Sequence, residues 1–160
     1  MISIRNAEIE DLLGMQHCNQ QSLPEHYKNN YFVYILLCWP SLSYVAEDDK
    51  GKIIGYILTK ISDDNEKMGQ VASLAVSLSY RRLGIAKKLL NFTIQSLVDC
   101  YEATEVCLQV RISNYKAINL YKKRINFKKK KLLDSYYADG EDAFLLVKDI
   151  SNIKRFENCY

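Results

Sequence analysis

Apolar residues recur along this chain with two different periods. Between 86 and 97, Ala86, Leu89, Leu90, Thr93, Ile94 and Leu97 follow the i, i+3, i+4, i+7 spacing of one helix face. In EVCLQV, 105–110, the residues Val106, Leu108 and Val110 alternate with their neighbours as one face of a strand does. The same two patterns organise the rest. A short strand at 2–5 precedes a helix over 8–18 with Ile9, Leu12, Leu13 and Gln16 on its face. The polar stretch QQSLPEHY, 20–27, is broken by Pro24, whose fixed φ and missing N–H favour a loop. A second helix over 27–37 stops before Pro40. SYVAED at 43–48, a DDKG turn and IIGYILTKI at 53–61 read as a hairpin, and VASLAV at 71–76 as a further strand. Ser113 or Asn114 caps a helix ending near 126, and strands at 127–133 and 142–148 flank SYYADGED. The order is strand, helix, helix, three strands, helix, strand, helix, two strands. That alternation, with hairpins at both ends, predicts a mixed sheet with helices on its faces.

Composition narrows the class. The chain has 160 residues, 48% hydrophobic and 26% charged, which suits one domain with a single sizeable core. Its longest apolar runs fall well short of the roughly 20 residues that span a bilayer, and the first residues lack a signal-peptide core, so the expected compartment is the cytoplasm. Five cysteines without a CxxC pair suggest free or buried thiols rather than a disulfide framework or a zinc site, and no metal is expected. A formal charge of +3 does not by itself imply a nucleic-acid partner, yet KKRINFKKKK at 122–131 concentrates seven positive charges. Such a run is usually a solvated face; the functional alternative is contact with a polyanion.

The chemistry concentrates at RRLGIA, 81–86, where an apolar strand gives way to the long helix. A helix N-terminus offers unpaired N–H groups and the positive end of the helix dipole, which suits a pyrophosphate. Gly84 lets a ligand approach the backbone closely, and Arg81 and Arg82 can add charge-assisted contacts. Neither the GxxxxGK[ST] phosphate loop nor GxGxxG is present.

These six residues fit the Q/R-x-x-G-x-G/A signature, and the chain thereby resembles the GNAT superfamily of acyl-CoA N-acyltransferases. From IRNAEIEDLLGMQHCN through LPEHY, SLAV, RRLGIA and VRISNYKAINLY to YYADGEDA, the resemblance is closest to the catalytic subunits of the eukaryotic N-terminal acetyltransferase A complex. It implies an α/β (mixed α+β) GNAT fold, a central, largely antiparallel seven-stranded sheet with helices on both faces, over 1–150, followed by a short tail at 151–160. It also implies acetyl-CoA as acetyl donor and a protein N-terminus as acceptor. The expected acceptors are small residues exposed by methionine removal, or acidic N-termini when the subunit acts alone. A helical-repeat auxiliary subunit against the first helices and association with the ribosome are implied as well, and no membrane.

Site residues follow from the same resemblance. Leu83, Ile85 and Ala86 join Arg81, Arg82 and Gly84 around the pyrophosphate. Leu74, Ala75 and Val76 lie on a strand that splays from its neighbour, their backbone pairing with the pantetheine arm and supplying an oxyanion donor. Asn114 contacts the cofactor, and Tyr121 protonates the departing thiolate; read without the resemblance, they are a helix cap and a core aromatic. Glu25 is the expected base, with Leu23, Pro24, Tyr27, Tyr136 and Tyr137 lining the acceptor groove. An α-amino group has a reference pKa near 7.7–8.0, so only modest help is required. His26 is a rival base. Gln70 stands where close relatives often carry histidine, which removes any relay through an imidazole there. His17 and Cys18 read as structural. The rival functions are a lysine or small-amine acetyltransferase of the same fold and a non-catalytic polyanion-binding module.

Overall fold

The computed structural model describes residues 1–22 and 29–156, and its strands join in one seven-stranded sheet. In chain order the elements are β1 (Ser3–Asn6), α1 (Leu12–Ser22), α2 (Asn29–Cys38), β2 (Tyr44–Glu47), β3 (Ile53–Ile61), β4 (Met68–Val76), α3 (Ile85–Tyr101), β5 (Glu105–Arg111), α4 (Tyr115–Asn119), β6 (Lys128–Leu133) and β7 (Ala143–Asp149). Across the sheet the order is β1-β2-β3-β4-β5-β7-β6. Neighbours run antiparallel except β4 and β5, where the crossover through α3 makes the pair parallel.

Helices cover both faces, as the pattern implies. The stripe Ile85, Leu89, Leu90, Thr93, Ile94, Leu97 and Val98 of α3 is buried against Ile57, Val71, Val106, Leu108 and Leu146. Gly69 allows this close approach, because a Cβ there would overlap the Leu97 side chain. On the opposite face Met15 and Cys18 of α1 and Phe32, Ile35 and Leu36 of α2 pack on Val45, Tyr56, Leu58 and Ala75. Truncating a fully buried leucine such as Leu89 or Leu97 to alanine costs about 2–5 kcal/mol.

Element ends depart from the sequence reading where polar residues are buried. A single 3₁₀ turn (Ile9–Asp11) leads into α1, which continues to Ser22, beyond the expected end at 18. Its buried face includes Gln16 and Asn19, and Asn19 donates to the Tyr56 hydroxyl at 2.9 Å, so the helix has no clean apolar stripe. The helix expected to run to 126 is α4 followed by a π-helical turn, Leu120–Arg124. Residues 151–156 of the tail lie along α3, with Gln95 donating to the Lys154 carbonyl at 3.0 Å and the Phe156 N–H to Asp99 at 2.9 Å. Cys18, Cys38 and Cys107 are not disulfide-bonded, as expected, whereas Cys100, near the end of α3, is.

Candidate active site

The site begins where β4 leaves β5. The two pair only over Met68–Gln70 and Glu105–Cys107, and beyond that they diverge. A bulge at Ala72 bends β4, since Leu58 faces Ser73 while Thr59 faces Val71. The Ser77 N–H donates to the Ile54 carbonyl at 2.8 Å, which fixes the phase of the antiparallel ladder. Residue pairs 54/77, 56/75 and 58/73 then exchange hydrogen bonds, and the peptide groups of Leu74 and Val76 turn toward the opened edge. Those of Ala75, the other strand residue singled out from the sequence, turn toward β3 instead.

At the end of β4 the chain makes a 3₁₀ turn (Leu78–Tyr80) and reaches α3 through the arginine-glycine loop. Arg81 Nε donates to the Val76 carbonyl at 3.2 Å, tying the loop to the opened strand. Arg82 and Gly84 both take left-handed conformations, at φ 67° and 77°. Gly84 is the N-cap, the Lys88 N–H bonding its carbonyl at 3.1 Å, and no side chain caps the helix. The first-turn N–H groups of Ile85 and Ala86 are therefore directed out of the helix. No acidic residue stands in that turn, while Arg81, Arg82, Lys87 and Lys88 are exposed around it. A Cβ on Gly84 would meet nothing within 4 Å among the described residues, so there is room in front of the backbone as well as positive potential. Leu83 is exposed at the same rim. This cradle fits a diphosphate.

Two further sequence candidates follow the end of β5. Asn114 accepts a hydrogen bond from the Ala117 N–H at 3.2 Å and so caps α4, leaving its amide nitrogen for other partners. Tyr121 is half-buried in the π-helical turn, its ring edge-on to Phe127 at 5.8 Å. Burial pushes its hydroxyl up to about 12, which keeps it protonated throughout the neutral range.

On the α1–α2 face lies the loop between β6 and β7. Arg111, at the end of β5, pairs with both Asp139 and Glu141 at 2.8 Å and stacks over the Tyr137 ring at 4.1 Å. Glu141 also accepts the Ser113 N–H at 3.0 Å, and Tyr136 packs edge-on against Tyr137 at 5.0 Å. Contacts from Ser113 and then Arg111 hold the Glu141 carboxyl below its usual range; the Glu141 N–H and then Arg111 do the same for Asp139. Burial, with Tyr31 of α2 and Cys107 of β5 nearby, raises the Tyr136 hydroxyl. Gln70 lies in register with Cys107 on one side and Lys60 on the other. Cys107 is itself buried, its thiol pushed up to about 11. Leu23, Pro24, Glu25, His26 and Tyr27 lie outside the described residues.

Arg111 and Tyr31 were not singled out from the sequence. The signal for Arg111 was a charge ending an alternating strand, in a chain that also carries the three acidic residues of DGED; Tyr31, one of 12 tyrosines, carried none. The described residues contain no group of three or more metal-ligating side chains.

Comparison with known proteins adds a second line. Residues 7–127 match the acetyltransferase (GNAT) family. The chain is 45% identical over 152 residues to the N-alpha-acetyltransferase daf-31 of Caenorhabditis elegans, covering 94% of this chain and 84% of that one. It is 44% identical over 156 residues to the N-terminal acetyltransferase A complex catalytic subunit ard1 of Schizosaccharomyces pombe, covering 96% and 88%. Among solved structures it is similar to a chain of the NatC complex bound to Gag peptide and CoA, with a TM-score of 0.84 and 29% identity over 92% of this chain and 98% of that one.

Proposed function

Because the chain belongs to the acetyltransferase (GNAT) family, and its relatives at about 45% identity are N-terminal acetyltransferase catalytic subunits, we propose that its cleft acetylates protein α-amino groups by direct attack on acetyl-CoA. The single observation that carries this reading is the parting of β4 from β5 beside a glycine-capped, acid-free helix start. The loop 81–86 holds the diphosphate. The peptide groups of Leu74 and Val76 hold the pantetheine arm and orient the thioester carbonyl, with Arg81 fixing the end of the strand through Val76. When bound, acetyl-CoA supplies the activated acetyl group, and the chain's own residues position the amine and manage its proton.

Glu25 accepts that proton, directly or through water, and Tyr136, Tyr137 and Tyr27 line the acceptor groove with Leu23 and Pro24. Asn114 offers its amide nitrogen to the cofactor. Tyr121 acts as a hydrogen-bond donor to the departing sulfur rather than as a full acid. At about 12 its hydroxyl is a weaker acid than a thiol of about 8.5, and complete transfer runs about 5 kcal/mol uphill. Cys107 argues for direct attack: at about 11, on the order of one thiol in ten thousand is ionised at pH 7, a poor nucleophile for an acyl-enzyme.

The acceptors in this reading are small N-terminal residues in complex and acidic ones for the isolated subunit. Exposed apolar residues Leu13 on α1 and Leu37 and Tyr34 on α2 support docking of a helical-repeat auxiliary subunit on this face, and the reading includes a site of action at the ribosome in the cytoplasm. An acetylation assay on a peptide panel tests it. Free N-termini are modified and N-blocked, lysine-containing peptides are not, and adding the auxiliary subunit shifts preference from acidic to small residues. Glu25→Gln lowers turnover about a hundredfold with acetyl-CoA binding retained. Parallel double-reciprocal lines would refute the direct route.

A further inference from the structure

One feature of the surface lies outside the acetyl-transfer cleft. Residues 115–133 hold eight of the chain's 22 Lys and Arg residues and none of its 19 Asp and Glu residues, so the remainder of the chain is net acidic. All eight cations are exposed: Lys116 on α4, Lys122, Lys123 and Arg124 on the π-helical turn, and Lys128, Lys129, Lys130 and Lys131 on β6. Among the described residues none of them forms an ion pair. β6 is the last strand of the sheet, so among the described residues its outer edge has no neighbouring strand.

Four successive lysines on a regular strand would alternate between faces. A bulge changes this: Lys129 pairs with Leu146 and Lys131 with Leu145, leaving Lys130 as the extra residue. Lys128 lies in register with Val147 and through it Cys107, and Lys131 with Leu145 and through it Gln109. The ammonium of Lys130 acts electrostatically on Cys107. Lys128, Lys130 and Lys131 therefore share the sheet face that carries the acceptor groove. Lys129 turns the other way and sits 4.1 Å over the Phe144 ring. The strand then runs directly into the loop bearing Tyr136 and Tyr137.

We propose that the β6 edge and the adjoining turn bind the phosphate backbone of RNA, and so hold the groove mouth beside it. Charge density favours this partner. Six residues of strand extend about 20 Å, a length over which a nucleic-acid duplex carries about twelve phosphates, matching a dense row of lysines without side-chain readout. The proposal rests on the N-terminal acetyltransferase reading for its purpose, since a nascent N-terminus emerges next to ribosomal RNA, but its test is separate.

The test is fluorescence anisotropy with a labelled RNA hairpin over a salt series, on the wild type, Lys128→Gln/Lys130→Gln/Lys131→Gln, and the control Lys50→Gln/Lys52→Gln/Lys154→Gln. Contact with four phosphates predicts that wild-type affinity falls about a hundredfold between about 50 and 200 mM salt. The β6 variant should lower the log–log salt slope by about 3, and the control should leave it unchanged. Acetylation of a free-N-terminus peptide, measured without RNA on the same preparations, should be equal in all three. That arm shows that the variants fold, and it alone decides the acetyltransferase reading. No RNA binding by the wild type, an unchanged slope in the β6 variant, or tighter binding to phosphatidylserine vesicles or polyglutamate than to RNA each overturns the proposal.

Discussion

An alanine at position 84 would meet no neighbour within 4 Å, so its cost comes from holding a φ near +77°, about 1–2 kcal/mol for a residue with a Cβ. The loop avoids that cost by shifting, which misaligns the first-turn N–H groups of α3. Gly84→Ala is therefore expected to raise the KM for acetyl-CoA about tenfold with little change in Tm, checked by initial rates and thermal melting. The special backbone of Gly84 was legible in the sequence, since a lone glycine shortly after two arginines at a strand-to-helix junction marks a turn that needs conformational freedom. The roles of its neighbours were not. That Leu74 and Val76 rather than Ala75 turn to the gap depends on ladder phase, set by Ser77 bonding Ile54 across the sheet. Asn114 is the helix cap that its position suggests, its oxygen accepting the Ala117 N–H, and that bond leaves the proposed cofactor contact to its nitrogen.

Elements were legible wherever the period was clean. α3 and β5 keep most apolar positions on one face, and the expected residues are buried except Ala86, which is half-buried beside buried Ile85; β5 also buries Cys107 on its other face. α1 is less legible because it buries Gln16 and Asn19, and its last turns look like loop until Tyr56 is seen to accept from Asn19. The β6–β7 loop reads as an ordinary DG turn, and only the fold brings Arg111 to it from β5, 28 residues away from Asp139 along the chain. In the proposed mechanism Arg111 positions the acceptor wall, through its contacts with Asp139, Glu141 and the Tyr137 ring. Removing it frees Tyr137 from its stack and leaves Asp139 and Glu141 repelling each other. Arg111→Ala should raise the peptide KM about three- to tenfold without changing acetyl-CoA affinity by calorimetry. Lysine restores only part, because it keeps the charge but loses the planar fork.

At the scale of the whole molecule, the sheet is anchored at one edge and open in the middle. At the β1 edge, Arg5 bonds both oxygens of Asp11 at 2.8 Å and also Glu47, fastening the first strand to β2 and to the start of α1. Burial raises the Asp11 pKa, but the bonds from Arg5 and the Glu8 N–H outweigh it and leave the carboxyl below its ordinary 3.8. A depressed folded-state pKa contributes stability that is full above 3.8 and is lost as pH falls through the lower folded value. Asp11→Asn should accordingly lower Tm at pH 7, and the gap to wild type should close as thermal melts are taken below about pH 3.8. In the middle, β4 forgoes the hydrogen bonds that an unbroken ladder with β5 would make. In the proposed mechanism an acyl donor pairing with Leu74 restores some of them and binds only the folded chain. At a hundredfold excess over its Kd it adds about 2.7 kcal/mol, a Tm rise of roughly 5–10 °C at this size. A melt with CoA that shows no rise would remove the ligand from that seam. Such coupling ties the lifetime of the protein to metabolic supply: in a cell short of activated acetate the chain opens more often, proteases reach it sooner, and its abundance falls along with the substrate it consumes.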